Sequence, residues 1–320
     1  MTLFVLRRLM MVVPLLAFVG LIVFSLVLLV PGDPAVAVAG ERATIEDIEL
    51  VREELGLNDP IFIQYARWMG DAMRGDLGTS LFSSELVTSI LWRRLPVTIA
   101  LASAAMVLAL VVAVPLGVVA AYHKGKLADR IATLIATLGV AVPNYWLGLM
   151  LLIGFAIWNP WFPSQGYHPL SEGLLQWVAY VALPAITLAA RPTAEISRHL
   201  RGALSDVLDA EYIRTARAKG LGEYRVILKH AGKNALAPIA TVVGLQYIHL
   251  LGGTVVIETV FDINGLGQLV LNAVLLRDVP VIQGVLLVSV LVAAFVNIIV
   301  DLSYGYANPQ VRARQRGLVS

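Results

Sequence analysis

The sequence has no cysteine, which excludes disulfides, thiolate metal sites and cysteine nucleophiles together. Its five histidines have no metal-like mutual spacing, so no metal or redox cofactor is expected in this chain. Charge is scarce as well: Asp, Glu, Lys and Arg make up 14% of the 320 residues, against about 25% in an ordinary globular domain. No apolar stretch carries a central acid paired with a base, which weakens a proton-coupled carrier and an intramembrane catalyst alike. A Walker A loop is missing too, since Gly125-Lys126 is followed by Leu127, with no Ser or Thr to meet magnesium. No nucleophile, base and orienting group stand out together, so no catalytic site is expected. The formal net charge of +2 gives no indication of nucleic acid.

What is present is apolar. Hydrophobic residues make up 58% of the chain and the mean hydropathy is +0.78, more than a globular core can hide from water, so the lipid bilayer must be its solvent. About six stretches reach the roughly 20 residues needed to cross about 30 Å of hydrocarbon as helices. They are Leu9 to Val30, Pro96 to Tyr122, Leu127 to Ile157, Trp177 to Ala190, Leu236 to Ile257 and Val281 to Tyr304. The fourth is interrupted by Pro184 and continues helically towards Leu200. The first follows Arg7 and Arg8, but its run is longer than a signal peptide's and no small-residue cleavage site follows, so it is read as a retained span. The expected class is an all-α polytopic membrane protein. Placing both termini in the cytoplasm puts 17 of the 24 Lys and Arg inside and 7 outside, the division that positive-inside retention favours.

Three regions follow: 1-95, a first span with an external cap; 96-308, a core membrane domain with a cytoplasmic loop at about 200-236; and 309-320, a cytoplasmic tail. In the cap, Thr44 with Asp47 forms a capping-box pattern, Gly56 is a suitable stop, and Ile48, Val51 and Leu55 make one apolar stripe. A second short helix is expected with Pro60 at its first position and Gly75 near its end.

In the second span Ala105, Ala109, Ala113, Gly117 and Ala121 recur every four residues, the spacing of small side chains that lets helices approach closely in lipid. Pro115, Pro143 and Pro184 are candidate kinks. Pro143, Asn144, Gln246, His249 and Asn297 are the candidate pathway or gate residues, with interhelical hydrogen bonding as the alternative role for the polar ones.

The loop between the fourth and fifth spans is the most informative. Asp209 is placed to cap a helix beginning at Ala210, Glu211 suits the positive end of its dipole, and Arg217 and Lys219 suit the negative end before Gly220 stops it. So short a helix is marginal alone in water, and Tyr212, Ile213 and Ala216 offer an apolar face for docking.

The run Asp209-Ala-Glu-Tyr-Ile-Arg-Thr-Ala-Arg-Ala-Lys-Gly-Leu221, followed by Lys229-His-Ala-Gly-Lys-Asn-Ala-Leu-Ala-Pro238, closely resembles the cytoplasmic loop of dipeptide and oligopeptide ABC transporter permeases. The likeness extends to Pro31-Gly-Asp-Pro34, Arg74-Gly-Asp-Leu-Gly78, Arg94-Leu-Pro96, Pro143-Asn-Tyr-Trp-Leu-Gly148, Glu258-Thr-Val-Phe261, Gly265-Leu-Gly267 and Gln283-Gly284. The opening segment and external cap look like the first of that system's two permease subunits. The resemblance implies a type I importer fold, a second homologous permease, two ABC ATPase subunits or domains holding ATP and magnesium, and an external solute-binding protein. It implies that Glu211, Tyr212, Ile213, Arg214, Thr215, Ala216, Arg217, Lys219 and Gly220 couple this chain to the ATPase. Gly220 matches the family's loop glycine and Ala216 a small contact position, whereas Arg214 stands where many ABC importers carry glutamate. Glu258, Phe261, Asp262 and Arg277 are candidate contacts for the binding protein. The expected cargo is a dipeptide or oligopeptide; the alternatives are a metal chelate or oligosaccharide in the same architecture, or a self-contained channel or ion-coupled carrier.

Overall fold

A computed structural model describes residues 16–25, 34–40, 43–54 and 56–307, with Met10 and Pro14 besides. Residues 9, 11–13, 15 and 26–30 of the first expected span, Arg7, Arg8, Leu55 and the tail 309-320 lie outside the described residues. The helices are α1 (Leu16–Ser25), α2 (Pro34–Ala39), α3 (Ile45–Glu54), α4 (Ile61–Met73), α5 (Val87–Tyr122), α6 (Leu127–Ala141), α7 (Asn144–Leu152), α8 (Leu174–Leu208), α9 (Glu211–Ala218), α10 (Glu223–Arg225), α11 (Gly232–Val260), α12 (Leu266–Leu276) and α13 (Val279–Ala307). No strand occurs among the described residues, which hold only an isolated antiparallel bridge between Thr79 and Leu86.

Among the described residues, four single helices, α5, α8, α11 and α13, are long and apolar enough to cross a membrane. The third expected stretch is not one helix. It breaks into α6 and the pair formed by α7 with the π-helical turn Ile153–Trp158, bent by 95°. Proline disfavours helical backbone at the residue before it, and Val142 is accordingly extended (φ −79°, ψ 123°) ahead of Pro143. Pro184 and Pro192, by contrast, lie buried inside the unbroken 35 residues of α8.

The chain folds into two compact units. In the unit of residues 1–98 and 264–294, the capping box forms: Thr44 N–H donates to Asp47 Oδ2 at 2.9 Å and Asp47 N–H to Thr44 Oγ1 at 3.2 Å. The Thr44 hydroxyl, donating to the Asp47 carboxylate at 2.7 Å, and then the Thr44 N–H hold that carboxyl below its ordinary pKa. Pro60 is the N-cap of α4 rather than its first helical residue. α4 packs on α1, where the Tyr65 hydroxyl donates to the Ala17 carbonyl at 2.6 Å and Phe24 meets the rings of Tyr65 and Trp68. A buried cluster of Val87, Ile90, Leu91, Leu266, Val281 and Val285 forms the core of this unit.

In the unit of residues 99–263 and 295–320, α8 is the central element, with α6, α7 and α11 against it. The small-residue stripe is buried within the chain: Ala105, Ala109 and Ala113 have no exposed surface. Gly117 lets α5 approach α8 closely, since a Cβ there would lie 2.9 Å from the Ser197 carbonyl oxygen. Gly139 of α6 does the same at the Ala190 carbonyl, also 2.9 Å. Gly148 of α7 faces Thr187, Ile257 and Phe261.

Candidate functional site

The site is built around α9. α8 runs eight residues past Leu200, which leaves Asp209 as its helical C-cap (φ −82°, ψ −7°) and Ala210 as the extended joint to α9 (φ −72°, ψ 146°). Asp209 therefore does not cap α9, because the residue at that helix start has already been used to finish α8. Its carboxylate instead accepts from Lys124 Nζ at 3.0 Å, reaching back to the turn between α5 and α6.

The apolar face of α9 turns inward. Ile213 is fully buried and Ala216 is 7% exposed, packed at the π-helical turn Val226–Ala231, whose ends Val226 and Ala231 are also fully buried. The expected docking face of Tyr212, Ile213 and Ala216 is thus divided: Ile213 and Ala216 seat the helix on its own chain, and Tyr212 remains outside at 44% exposure. Glu211, Arg214, Thr215, Arg217 and Lys219 are exposed. Arg217 is turned to its own chain, with Nε and Nη2 on the Glu223 carboxylate at 2.8 and 3.3 Å. Arg214 pairs with Glu211 one turn earlier at 3.2 Å. Gly220 ends the helix at φ +77°, in the left-handed region, and its N–H donates to the Arg217 carbonyl at 2.9 Å. This arrangement offers a short, firmly seated rod with an aromatic ring and mixed charges facing away from its chain.

The candidate pathway residues lie on separate elements. Pro143 sits at the 95° bend and Asn144 begins α7 half-buried. Gln246 is on α11 with its Oε1 buried and without a hydrogen-bond partner among the described residues, and His249 on α11 and Asn297 on α13 are exposed. No hydrogen bond among the described residues joins any two of them. The interhelical bond that does occur here, Ser103 Oγ with the Tyr247 hydroxyl at 2.9 Å, pairs residues 144 apart and has no local sequence signal.

Of the candidate outer contacts, Glu258 is fully buried and Phe261 is 2% exposed, so neither side chain is presented to an external protein. The Phe261 carbonyl accepts from Gly166 N–H at 2.9 Å and the Glu258 carbonyl from Ile263 N–H at 2.7 Å, so both belong to the turn that ends α11. Asp262 and Arg277 are exposed, both at positive φ (49° and 59°). The buried acid beside Arg277 has a structural task. Asp278 accepts from the Ser80 hydroxyl at 2.5 Å and from Leu81 N–H at 3.3 Å, fastening the 76–86 loop.

A second buried acid has no counterpart among the residues singled out from the sequence. Asp129, in the first turn of α6 and 4% exposed, accepts from Gly125 N–H at 2.9 Å and from Arg201 Nη2 at 2.7 Å, with Arg201 Nε on its other oxygen. Its position just after a Gly-Lys turn marks it as a first-turn acid, but nothing local points to a partner 72 residues away.

Comparison with known proteins agrees with this architecture. Residues 113–313 match the family described as binding-protein-dependent transport system inner membrane component, and residues 1–102 match its N-terminal counterpart, the binding-protein-dependent transport system membrane component, N-terminal. A probable peptide ABC transporter permease of Sinorhizobium fredii is 39% identical over 98% of this chain and 100% of its own length. A glutathione transport system permease of Escherichia coli is 38% identical over 97% and 98%. A dipeptide transport system permease of Alkalihalophilus pseudofirmus is 37% identical over 97% and 99%. The fold is similar to an inward-facing form of the MetNI methionine ABC transporter, with a TM-score of 0.57 and 18% identity over 68% of this chain and 96% of that one. The chain belongs to the family of binding-protein-dependent transport system inner membrane components.

Proposed function

We propose that this chain is a permease subunit of an ATP-driven importer for peptides, working with a second homologous permease, two ABC ATPase subunits or domains and an external solute-binding protein. The peptide cargo follows from what the relatives are named for: peptides, dipeptides and the tripeptide glutathione. Both termini face the cytoplasm, on the division of Lys and Arg. This chain supplies the membrane path; ATP and magnesium are bound by the partner ATPases, and metal or cofactor chemistry has no role in the permease itself. The carrying observation is α9, a helix seated on its own chain by Ile213 and Ala216 with Tyr212 and its charges turned outward. A rod of that kind is suited to an ATPase cleft, so that closure of the ATPases moves the spans.

Mass spectrometry of what co-purifies from native membranes in mild detergent tests this. The expected result is a related permease together with P-loop ATPases, and proteoliposomes holding that complex should take up labelled dipeptide only with ATP, magnesium and the binding protein. A chain recovered alone that supports flux without ATP would overturn the reading.

The seat of α9 also sets what Gly220 can tolerate. A Cβ at Gly220 would meet nothing within 4 Å, so the cost of Gly220→Ala is conformational. Holding a non-glycine residue in the left-handed region costs about 1–2 kcal/mol. Gly220→Ala is therefore expected to lower uptake several-fold while the ATPases still co-purify; loss of the ATPases would show that the glycine itself is contacted.

A further inference from the structure

The turn between α5 and α6, residues 123–126, is tied to the α8–α9 segment at two places. Lys124 Nζ reaches Asp209 Oδ2 at 3.0 Å, at the joint where α8 passes into α9. Gly125 N–H donates to Asp129 Oδ2 at 2.9 Å, and the same carboxylate takes Nε and Nη2 of Arg201, the latter at 2.7 Å. Arg201 lies eight residues before Asp209, about 12 Å along the helix. The two ties thus grip the last turns of α8 from one side. The outer tie is exposed and weak by itself, with side chains 55% and 71% exposed. The inner one is bidentate, with Asp129 buried and the Arg201 side chain 36% exposed, a geometry that fixes direction as well as distance. Beside it an open cavity lined by Leu116, Ala120, Ala132, Thr133 and Ser197 lies among α5, α6 and α8, so at this level the ion pair adds a directional tie to the packing of α6 on α8.

We propose that Asp129 and Arg201, supported by Lys124 and Asp209, are positioning residues for transport: they make the α5–α6 turn a strut through which displacement of α9 moves α6 and its bend at Pro143. This rests on the coupling role of α9 given above. Without the strut, α9 is joined to the spans by its chain connection to α8 at Ala210 and by its packing on the π-helical turn Val226–Ala231, which leads into α11. The strut adds α6, which is remote in sequence and ends at the break.

The test uses the complete complex in proteoliposomes and reads dipeptide taken up per ATP hydrolysed. Removing Arg201 alone would leave the Asp129 charge buried and unpaired, whereas replacing both by apolar residues of similar size is often neutral for folding. Asp129→Leu with Arg201→Met is therefore the informative variant. Its complex is expected to assemble, and uptake per ATP to fall by about tenfold, within the usual range of coupling between sites. Arg201→Lys, which keeps the charge but loses the fork, is expected to fall between wild type and the pair variant. Because the chain has no native cysteine, spin labels at Lys126→Cys and Lys219→Cys report the strut directly: their separation should stay fixed through the ATP cycle, and should vary in the pair variant. A pair variant with wild-type uptake per ATP, or one in which uptake and hydrolysis fall together so that the ratio holds, overturns the proposal. Wild-type complex with no ATP-dependent uptake would instead bring down the coupling role of α9 on which it rests.

Discussion

Ile213→Asp is expected to release α9 from its seat and abolish ATP-dependent uptake while the spans still insert. Ile213 has no exposed surface, and full burial of such a side chain is worth about 1.5–3 kcal/mol. An aspartate in its place meets the ends of a helical turn, Val226 and Ala231, that are themselves fully buried and apolar. An uncompensated buried charge costs several kcal/mol, and an eight-residue helix has little stability of its own to set against that. The cheaper outcome is for α9 to leave the surface and fray. Trypsin reads this locally, because Arg214, Arg217 and Lys219 lie in or just beyond the helix and would become cleavable. The ATPases are expected to be missing from the purified variant, whereas Ile213→Val, which costs about 0.5–1.5 kcal/mol, should retain them. Ile213→Asp that resists trypsin and keeps its ATPases would mean that α9 is held from outside, not by its own chain.

That expectation depends on which face of α9 is inward, and this is where the sequence stops short. Cap-like residues, an apolar stripe and a terminal glycine identify a short amphipathic helix between two spans, and the structure has one at Glu211–Ala218. A stripe says that something covers it, not what. Here the cover is the chain's own Val226–Ala231 turn, which only the tertiary arrangement brings under Ile213 and Ala216. Asp209 is misleading for a related reason: whether an aspartate starts one helix or finishes another depends on how far α8 runs, and α8 continues through two prolines. The Thr44–Asp47 box is legible because both partners lie within one turn and nothing distant competes for them.

Distance along the chain separates what is readable from what is not. Span locations follow from composition over about 20 residues, whereas Pro143 and Pro184 both read as candidate kinks and only the structure separates the break at the first from the unbroken helix at the second. The ties that give the bundle its geometry join residues far apart: Asp129 to Arg201, Ser80 to Asp278, Ser103 to Tyr247. Each joins polar groups that are buried or part-buried in an apolar chain, where an unmet partner is costly. The sequence shows the need and not the partner. Glu258 illustrates the converse error, since an acid in a presumed outer loop reads as surface, yet it lies fully buried at the end of α11.

Close helix approach gives the other large effect. Gly117→Leu is expected to lower the apparent unfolding temperature of the purified chain and to reduce uptake per ATP. A Cβ at Gly117 would lie 2.9 Å from the Ser197 carbonyl oxygen and 3.0 Å from both Cβ and Cδ2 of Leu200. The first of these is backbone within α8 and cannot swing aside, so α5 and α8 must separate. Overpacking of this kind costs about 1–3 kcal/mol, occasionally more. The displaced part of α8 lies next to Arg201, so the strain also reaches the carboxylate of Asp129. Gly202→Leu is the matched control: it adds the same side chain to α8 itself, at a position where a Cβ meets nothing within 4 Å. Replacing a helical glycine by a better helix former there is expected to leave the melting temperature unchanged or raise it, by up to about 1 kcal/mol of stability. Equal melting temperatures for the two variants would show that α5 and α8 can part without cost at Gly117, and that the buried alanine stripe above it does not hold them together.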